Sequence, residues 1–409
     1  MKTIVFIGTN KSGSSREAVK AAERLGYFTV VFTNKEKQLE QRKEYPDVHE
    51  MIFVDTNNLS EMKVEIKKLR LKGKDIKIIV SFIDSNVHSA SVLSDEFCQN
   101  HTSSEAIAKM ENKEGTRFFL KDQPYTPEFL IITQGNPIPF ETIDEKLTFP
   151  VIMKSSKSTG SKDVLFVETK EHLEKQFVKL QEKNPDETII IEEYIDGNQY
   201  LVEALIYNNQ IMIAGIIEQE ITQGKRFIIT GYGVHADVPN QIKGGIEQVL
   251  QSIMEQFGIK NGALHLELRL TNDGWKLIEI NPRISGGAMN EMILAAFGFN
   301  LVEETLKLYL GKSPSLIPRF SNYVFTQHLI VSKKGILEKV TGKKKAKQSP
   351  GIIKVYVKPK KGTKLTPPLS MGHRYAYVIA TGASLEEAKR LAKNAASEIT
   401  FHLVDEKTE

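Results

Sequence analysis

Gly262-Ala263-Leu264-His265-Leu266-Glu267-Leu268-Arg269-Leu270, followed after a short gap by Trp275-Lys276-Leu277-Ile278-Glu279-Ile280-Asn281-Pro282-Arg283, is the stretch whose reading decides the fold. Apolar and polar residues alternate along both arms, the pattern of strands with one buried face. Between them, Asn272-Asp273-Gly274 suits a three-residue loop with glycine in the left-handed position. That loop pairs Thr271 with Trp275, which sets Glu267 opposite Glu279 and His265 opposite Asn281 on the same face. Like charges facing each other across a ladder destabilise a sheet, so the pair implies a cation between them. Two carboxylates and an amide, completed by phosphate oxygens and water, suit magnesium better than zinc or copper. A two-residue loop would instead put the two acids on opposite faces.

Working upstream, Lys154 ends the apolar run Phe149-Pro150-Val151-Ile152-Met153 and leads into Ser155-Ser156-Lys157-Ser158-Thr159-Gly160-Ser161-Lys162. A loop this rich in hydroxyls, free N–H groups and lysine can close over phosphates; a plain hairpin loop is the alternative. Ile189 to Gly197 reads as a buried strand running into a polar bend, where backbone groups could hydrogen-bond an adenine. Lys113 and Arg117 fall on a helix, and Pro124, Pro127, Pro137 and Pro139 mark a connecting stretch.

The first hundred residues alternate strand and helix signals, as a parallel sheet with crossover helices requires. Runs at Thr3–Gly8, Phe28–Thr33, Met51–Val54 and Ile76–Phe82 read as strands, with Ser14 or Ser15 capping the first helix. Ligands of such sheets sit beyond the carboxyl ends of the strands, which points to Gly8–Ser14 and Ser81–His88. Gly8 to Ser14 has neither a dinucleotide fingerprint nor a P-loop ending. Past the decisive hairpin come two helices, prolines at Pro314 and Pro318, and a tail of strands with a final helix at Leu385–Ile399.

A net charge of +4 over 409 residues argues against nucleic acid as the main partner, and the lysine runs at Lys343–Lys345 and Lys358–Lys361 read as solvated surface. One cysteine, Cys98, excludes an internal disulfide framework and a Cys-based zinc site. The first apolar run is too short for a signal peptide, and no window approaches a membrane span. The expectation is a cytoplasmic protein with no membrane partner.

In this order and spacing the motifs resemble the ATP-grasp superfamily of carboxylate–amine ligases, and the hairpin ending Glu279-Ile280-Asn281-Pro282-Arg283 carries most of that likeness. The resemblance implies a multidomain α/β and α+β chain with an ATP-grasp fold. Its parts are a Rossmann-like N-terminal domain (1–108), a linker and lid (109–198), a central metal-bearing domain (199–315) and a small C-terminal domain (316–409). It also implies that Lys113 and Lys154 contact ATP phosphates, and that Ser156 to Lys162, with Ser161, is the phosphate loop. Glu192, Glu193 and Ile195 would form the adenine hinge. Glu267, Glu279 and the weaker ligand Asn281 would hold Mg2+, with Mn2+ an acceptable substitute, and Arg283 would stabilise an acyl phosphate. Where many members place a ribose-binding glutamate, this chain has Gln199.

Within the superfamily the chain is most similar to bacterial L-amino-acid ligases. The likeness rests on His265 to Glu267, on Asn281-Pro282-Arg283-Ile284-Ser285-Gly286-Gly287, and on the Gly372-His373-Arg374 to Gly382 segment. The resemblance implies a dipeptide made from two L-amino acids with release of ADP and phosphate, and, on base rates, a homodimer. Gly287 would leave room for a larger first side chain, and Asp84 would approach the substrate, unless it is only a helix cap. Two other readings stay open: a carboxylase or ligase of purine or biotin-type metabolism, and a non-catalytic ATP-binding regulator.

Overall fold

The computed structural model describes residues 1–99, 101–156, 163–222 and 228–405. At the N-terminus four parallel strands lie in the order Glu50–Phe53, Phe28–Thr33, Lys2–Ile7, Asp75–Val80. The strands are apolar on both faces because helices cover both sides: Ser14–Arg24 on one, Leu59–Leu71 and Val87–Phe97 on the other. Asn58 caps the helix Leu59–Leu71, accepting from the N–H groups of Ser60 and Glu61.

The expected cap of the first helix is corrected. Gly13 occupies that position without a side-chain bond, and Ser14 opens the helix. The Ser14 hydroxyl donates to the Ser285 carbonyl at 2.6 Å. A side chain at Gly13 would meet the backbone of Gly287 at 3.1 Å. The small residues of this turn therefore let two segments 270 positions apart dock closely, and the turn does not line the cavity described below.

Residues 129–193 carry a four-stranded antiparallel sheet in the order Phe129–Ile132, Ile189–Glu193, Val151–Ser155, Val164–Val167. Ile143, Val151, Met153, Leu173, Phe177 and Ile191 form its own core beneath the helix Lys170–Lys183.

The largest sheet has eight strands in the order Gly274–Asn281, Gly262–Thr271, Asn198–Tyr207, Gln210–Thr222, Ile228–Val234, Tyr323–Leu329, Ala376–Gly382, Ile352–Val357. Three strands from the C-terminal quarter thus extend the central sheet through the pairing of Ile228–Val234 with Tyr323–Leu329. Even-numbered residues of Asn198–Tyr207 pack with Leu264, Leu266 and Leu268 under the helix Asn240–Phe257. That helix begins directly after Pro239. Gly244 and Gly245 sit inside it, and a side chain on Gly245 would meet the Trp275 indole nitrogen at 2.1 Å. Odd-numbered residues face the opposite way: Leu201 and Leu205 pack against the helices Met289–Phe297 and Leu301–Tyr309, while Glu203 points the same way as His265. No helix among the described residues is long and apolar enough to cross a membrane.

Candidate active site

The decisive hairpin pairs Glu267 with Glu279 and His265 with Asn281, but not by the expected turn. Thr271 pairs with Gly274, a two-residue connection that by itself would put the two acids on opposite faces. A bulge corrects the register. Leu268 pairs with Leu277, Glu267 with Glu279, and Ile278 is the extra residue. Packing agrees, because Leu277 and Ile280, three positions apart, lie in the same core cluster. The Ile278 carbonyl accepts from the Arg117 guanidinium at 2.8 Å, so the bulge also anchors an arginine of the site.

One cavity of about 1310 Å3 runs from the lid to the C-terminal strands. It is lined by Lys113, Lys154 and Ser156, by Glu192, Glu193, Ile195 and Gln199, and by His265, Glu267, Glu279, Asn281, Arg283, Gly287 and Asp84. Ser161 and the loop beyond Ser156 lie outside the described residues.

The acid pair is surrounded by donors and cations. Lys113 Nζ stands 3.4 Å from Glu279, Gln199 donates to Glu267 at 3.2 Å, and His265 Nε2 is 3.9 Å from Glu267. Burial would raise the Glu279 carboxyl, but Lys113, Lys154 and His265 outweigh that and hold it below the usual range. The set fits a hard divalent cation: two ionised carboxylates across a ladder, with Asn281 on the same face. Among the described residues no group of three acidic, histidine or cysteine side chains would hold a metal alone, so these two carboxylates and the amide would leave coordination positions for other oxygen ligands.

Behind the pair lies a buried ion triad. Glu192 accepts from Arg117 Nε and from Lys154 Nζ, each at 2.6 Å. Burial raises the Glu192 carboxyl, and the two cations overcome this and hold it at about 2; burial in turn pushes the Lys154 ammonium below the lysine range. Two cations share one anion here, and Lys154 and Glu192 of the triad line the cavity. The hinge expected at Glu192, Glu193 and Ile195 rests on backbone groups, because the acidic side chains are engaged elsewhere: Glu192 serves Lys154, and Glu193 accepts from the Glu128 N–H and pairs with Lys276. Any adenine contact is left to the backbone around Ile195, whose carbonyl already accepts from Arg269. Gln199 is engaged at both ends of its amide, by Glu267 and Arg269, rather than left open for a ribose.

His265 Nδ1 lies 2.7 Å from Glu203, which is fully buried and also accepts from the Ser285 N–H. Burial would lower this imidazole, but the Glu203 carboxylate pushes it up to about 10. Glu203 escaped the sequence reading, although an acid inside the apolar run Tyr200–Tyr207 was a visible signal. Arg117 was visible too, one helical turn after Lys113. Asp84 comes to the site as a partner of Arg283, which also donates to the Ile284 carbonyl at 2.8 Å. A side chain on Gly287 would meet nothing within 4 Å, although its φ of +65° disfavours one.

Glu111, which nothing in the sequence marks, lines the same cavity and accepts from the His88 N–H at 3.2 Å. Burial pushes its carboxyl up; the His88 N–H opposes this, Asp84 adds to it and Arg283 reduces it, leaving a value of about 7. A carboxyl carbon resonance titrating near pH 7, absent in Glu111→Gln, is therefore expected by NMR. A titration near 4.5 would contradict this environment.

The chain is similar to known proteins over most of its length. Residues 147–291 match the model of the ATP-grasp domain, and residues 327–404 that of L-amino acid ligase C-terminal domain 2. An uncharacterized protein, y4rH, of Sinorhizobium fredii is 24% identical over 87% of this chain and 74% of its own. The L-arginine-specific L-amino acid ligase of Bacillus subtilis is 24% identical, with 66% of each chain covered. The crystal structure of L-amino acid ligase from Bacillus licheniformis matches with a TM-score of 0.83 at 19% identity, covering 100% of this chain and 99% of that one.

Proposed function

We propose that this chain, an ATP-grasp ligase, joins two L-amino acids into a dipeptide with release of ADP and phosphate. The observation that carries the reading is the single cavity in which an acid pair, Lys113, Lys154 and Arg283 converge. Lys113 and Lys154 would receive the triphosphate, with the Arg117–Glu192 pair holding Lys154 in place. Glu267, Glu279 and Asn281 would hold Mg2+, which neutralises phosphate oxygens and aligns them for transfer. Arg283 would exchange Asp84 for the donor carboxylate, since a guanidinium grips carboxylate and phosphoryl oxygens alike.

A carboxylate oxygen of the donor forms a bond to the γ-phosphorus as the bond to the β-phosphate oxygen breaks, giving an acyl phosphate and ADP. The acceptor nitrogen then attacks the acyl carbon and the carbon–oxygen bond to phosphate breaks. Of the three ammonium hydrogens, one stays on the amide, one leaves with phosphate and one goes to solvent. His265, held protonated by Glu203, offers a donor to oxygen charge that develops on the acyl carbon.

The test is ADP release over pairs of free amino acids, with products read by mass and the acyl phosphate trapped by hydroxylamine as a hydroxamate. Dipeptide masses and hydroxamates support the reading. Release with bicarbonate or a ribotide instead would move the chain to the carboxylase class, and nucleotide binding without any release would make it a regulator.

A further inference from the structure

The cavity extends past the phosphate chemistry to a wall made by strands of the C-terminal quarter. Arg374 lines it, half-buried. Its guanidinium donates only to neutral oxygens: the Tyr232 hydroxyl at 2.9 Å, and the carbonyls of Ile229 and Met371, each at 3.3 Å. Nearby, His328 is packed edge-on between Tyr232 and Tyr377, with ring centroids 5.5 and 5.7 Å away. Burial first, and then the charge of Arg374, hold His328 well below the ordinary histidine range, so it is neutral. Glu291, which reaches the Tyr377 hydroxyl behind this wall, accepts from it and is matched by Lys354. Among the described residues no carboxylate pairs with Arg374.

A half-buried guanidinium, steered by neutral acceptors and, among the described residues, left without a counter-ion, is an anion receptor whose planar fork matches a carboxylate. We infer that Arg374 binds the free carboxylate of the acceptor amino acid, with Tyr232 and Tyr377 beside it. The inference rests on the ligase reading and gives that reading a direction. The carboxylate at Arg283 lies at the phosphate end and is activated. The one at Arg374 is held away from the phosphates, and only its amine reaches the acyl carbon.

The experiment measures ADP release at saturating donor while the acceptor is varied, either as the free amino acid or as its primary amide. Wild-type KM is expected to be lower for the free acid by about tenfold or more, the scale of a charge-assisted bond to a carboxylate. Arg374→Gln removes the difference by raising KM for the acid alone, and Arg374→Lys restores part of it. Equal wild-type KM values for acid and amide overturn the assignment, as does an acid preference that survives Arg374→Gln. If Arg374→Gln does not fold, the wild-type comparison decides by itself. If no amino acid pair releases ADP, the ligase reading falls and this inference with it; release that ignores the acceptor carboxylate removes only the role of Arg374.

Discussion

Glu279→Ala is expected to lower ATP-dependent ADP release by about 10^3-fold while the protein stays folded. A divalent cation supplies several kcal/mol of charge stabilisation to a transferring phosphoryl group, and about 4 kcal/mol corresponds to that factor. Positive charge from Lys113, Lys154 and His265 converges on Glu279 and holds its carboxyl below the usual range, so it is ionised and ready for a cation at neutral pH. Stability has little to lose, because removing Glu279 also removes its repulsion of Glu267 across the ladder. Glu279→Gln keeps the shape and loses the charge, and should be nearly as inactive. Turnover within tenfold of wild type, in a variant with an unchanged melting transition, would remove the acid pair from the mechanism.

Glu192→Ala should instead act on stability first. It leaves Arg117 and Lys154 without their shared anion in a buried site, a loss of about 3–5 kcal/mol. Unfolding would be followed by hydrogen exchange at the amides of Ile189–Glu193. Excess Mg-ATP should return part of the loss, because bound phosphates replace the missing charge; at 100 times Kd such linkage is worth about 2.7 kcal/mol. The same carboxylate sets an acid limit. Its folded value of about 2 lies below the ordinary 4.5, so its contribution is complete above that value and is lost as pH falls towards 2. An alanine variant that exchanges and unfolds as wild type does, with or without nucleotide, would refute the triad's role.

Part of the site could be read from the chain because the signal was local. Alternation with a period of two shows which residues of Gly262–Thr271 face together, and one strand length settles it. Lys154 at the end of a buried strand, ahead of a hydroxyl-rich stretch, is readable in the same way. The turn shows where such reading stops. The expected three-residue loop and the observed two-residue loop with a bulge at Ile278 give the same acid pair, and the difference surfaces only in the register of Leu268 with Leu277.

The amino-acid sequence by itself determined the alternating elements, an acid on each arm of one hairpin and the presence of lysines ahead of them, while the bulge at Ile278 put the two acids on one face. Tertiary structure decided who neutralises whom: Glu192 serves Lys154 and Arg117, Asp84 holds Arg283, Glu203 charges His265, and among the described residues Arg374 meets no acid. The reason is physical. Backbone patterning is set by neighbours a few residues away, whereas an ion pair depends on distance and burial between segments here 38 to 199 positions apart, and those exist only once the sheets and helices have packed.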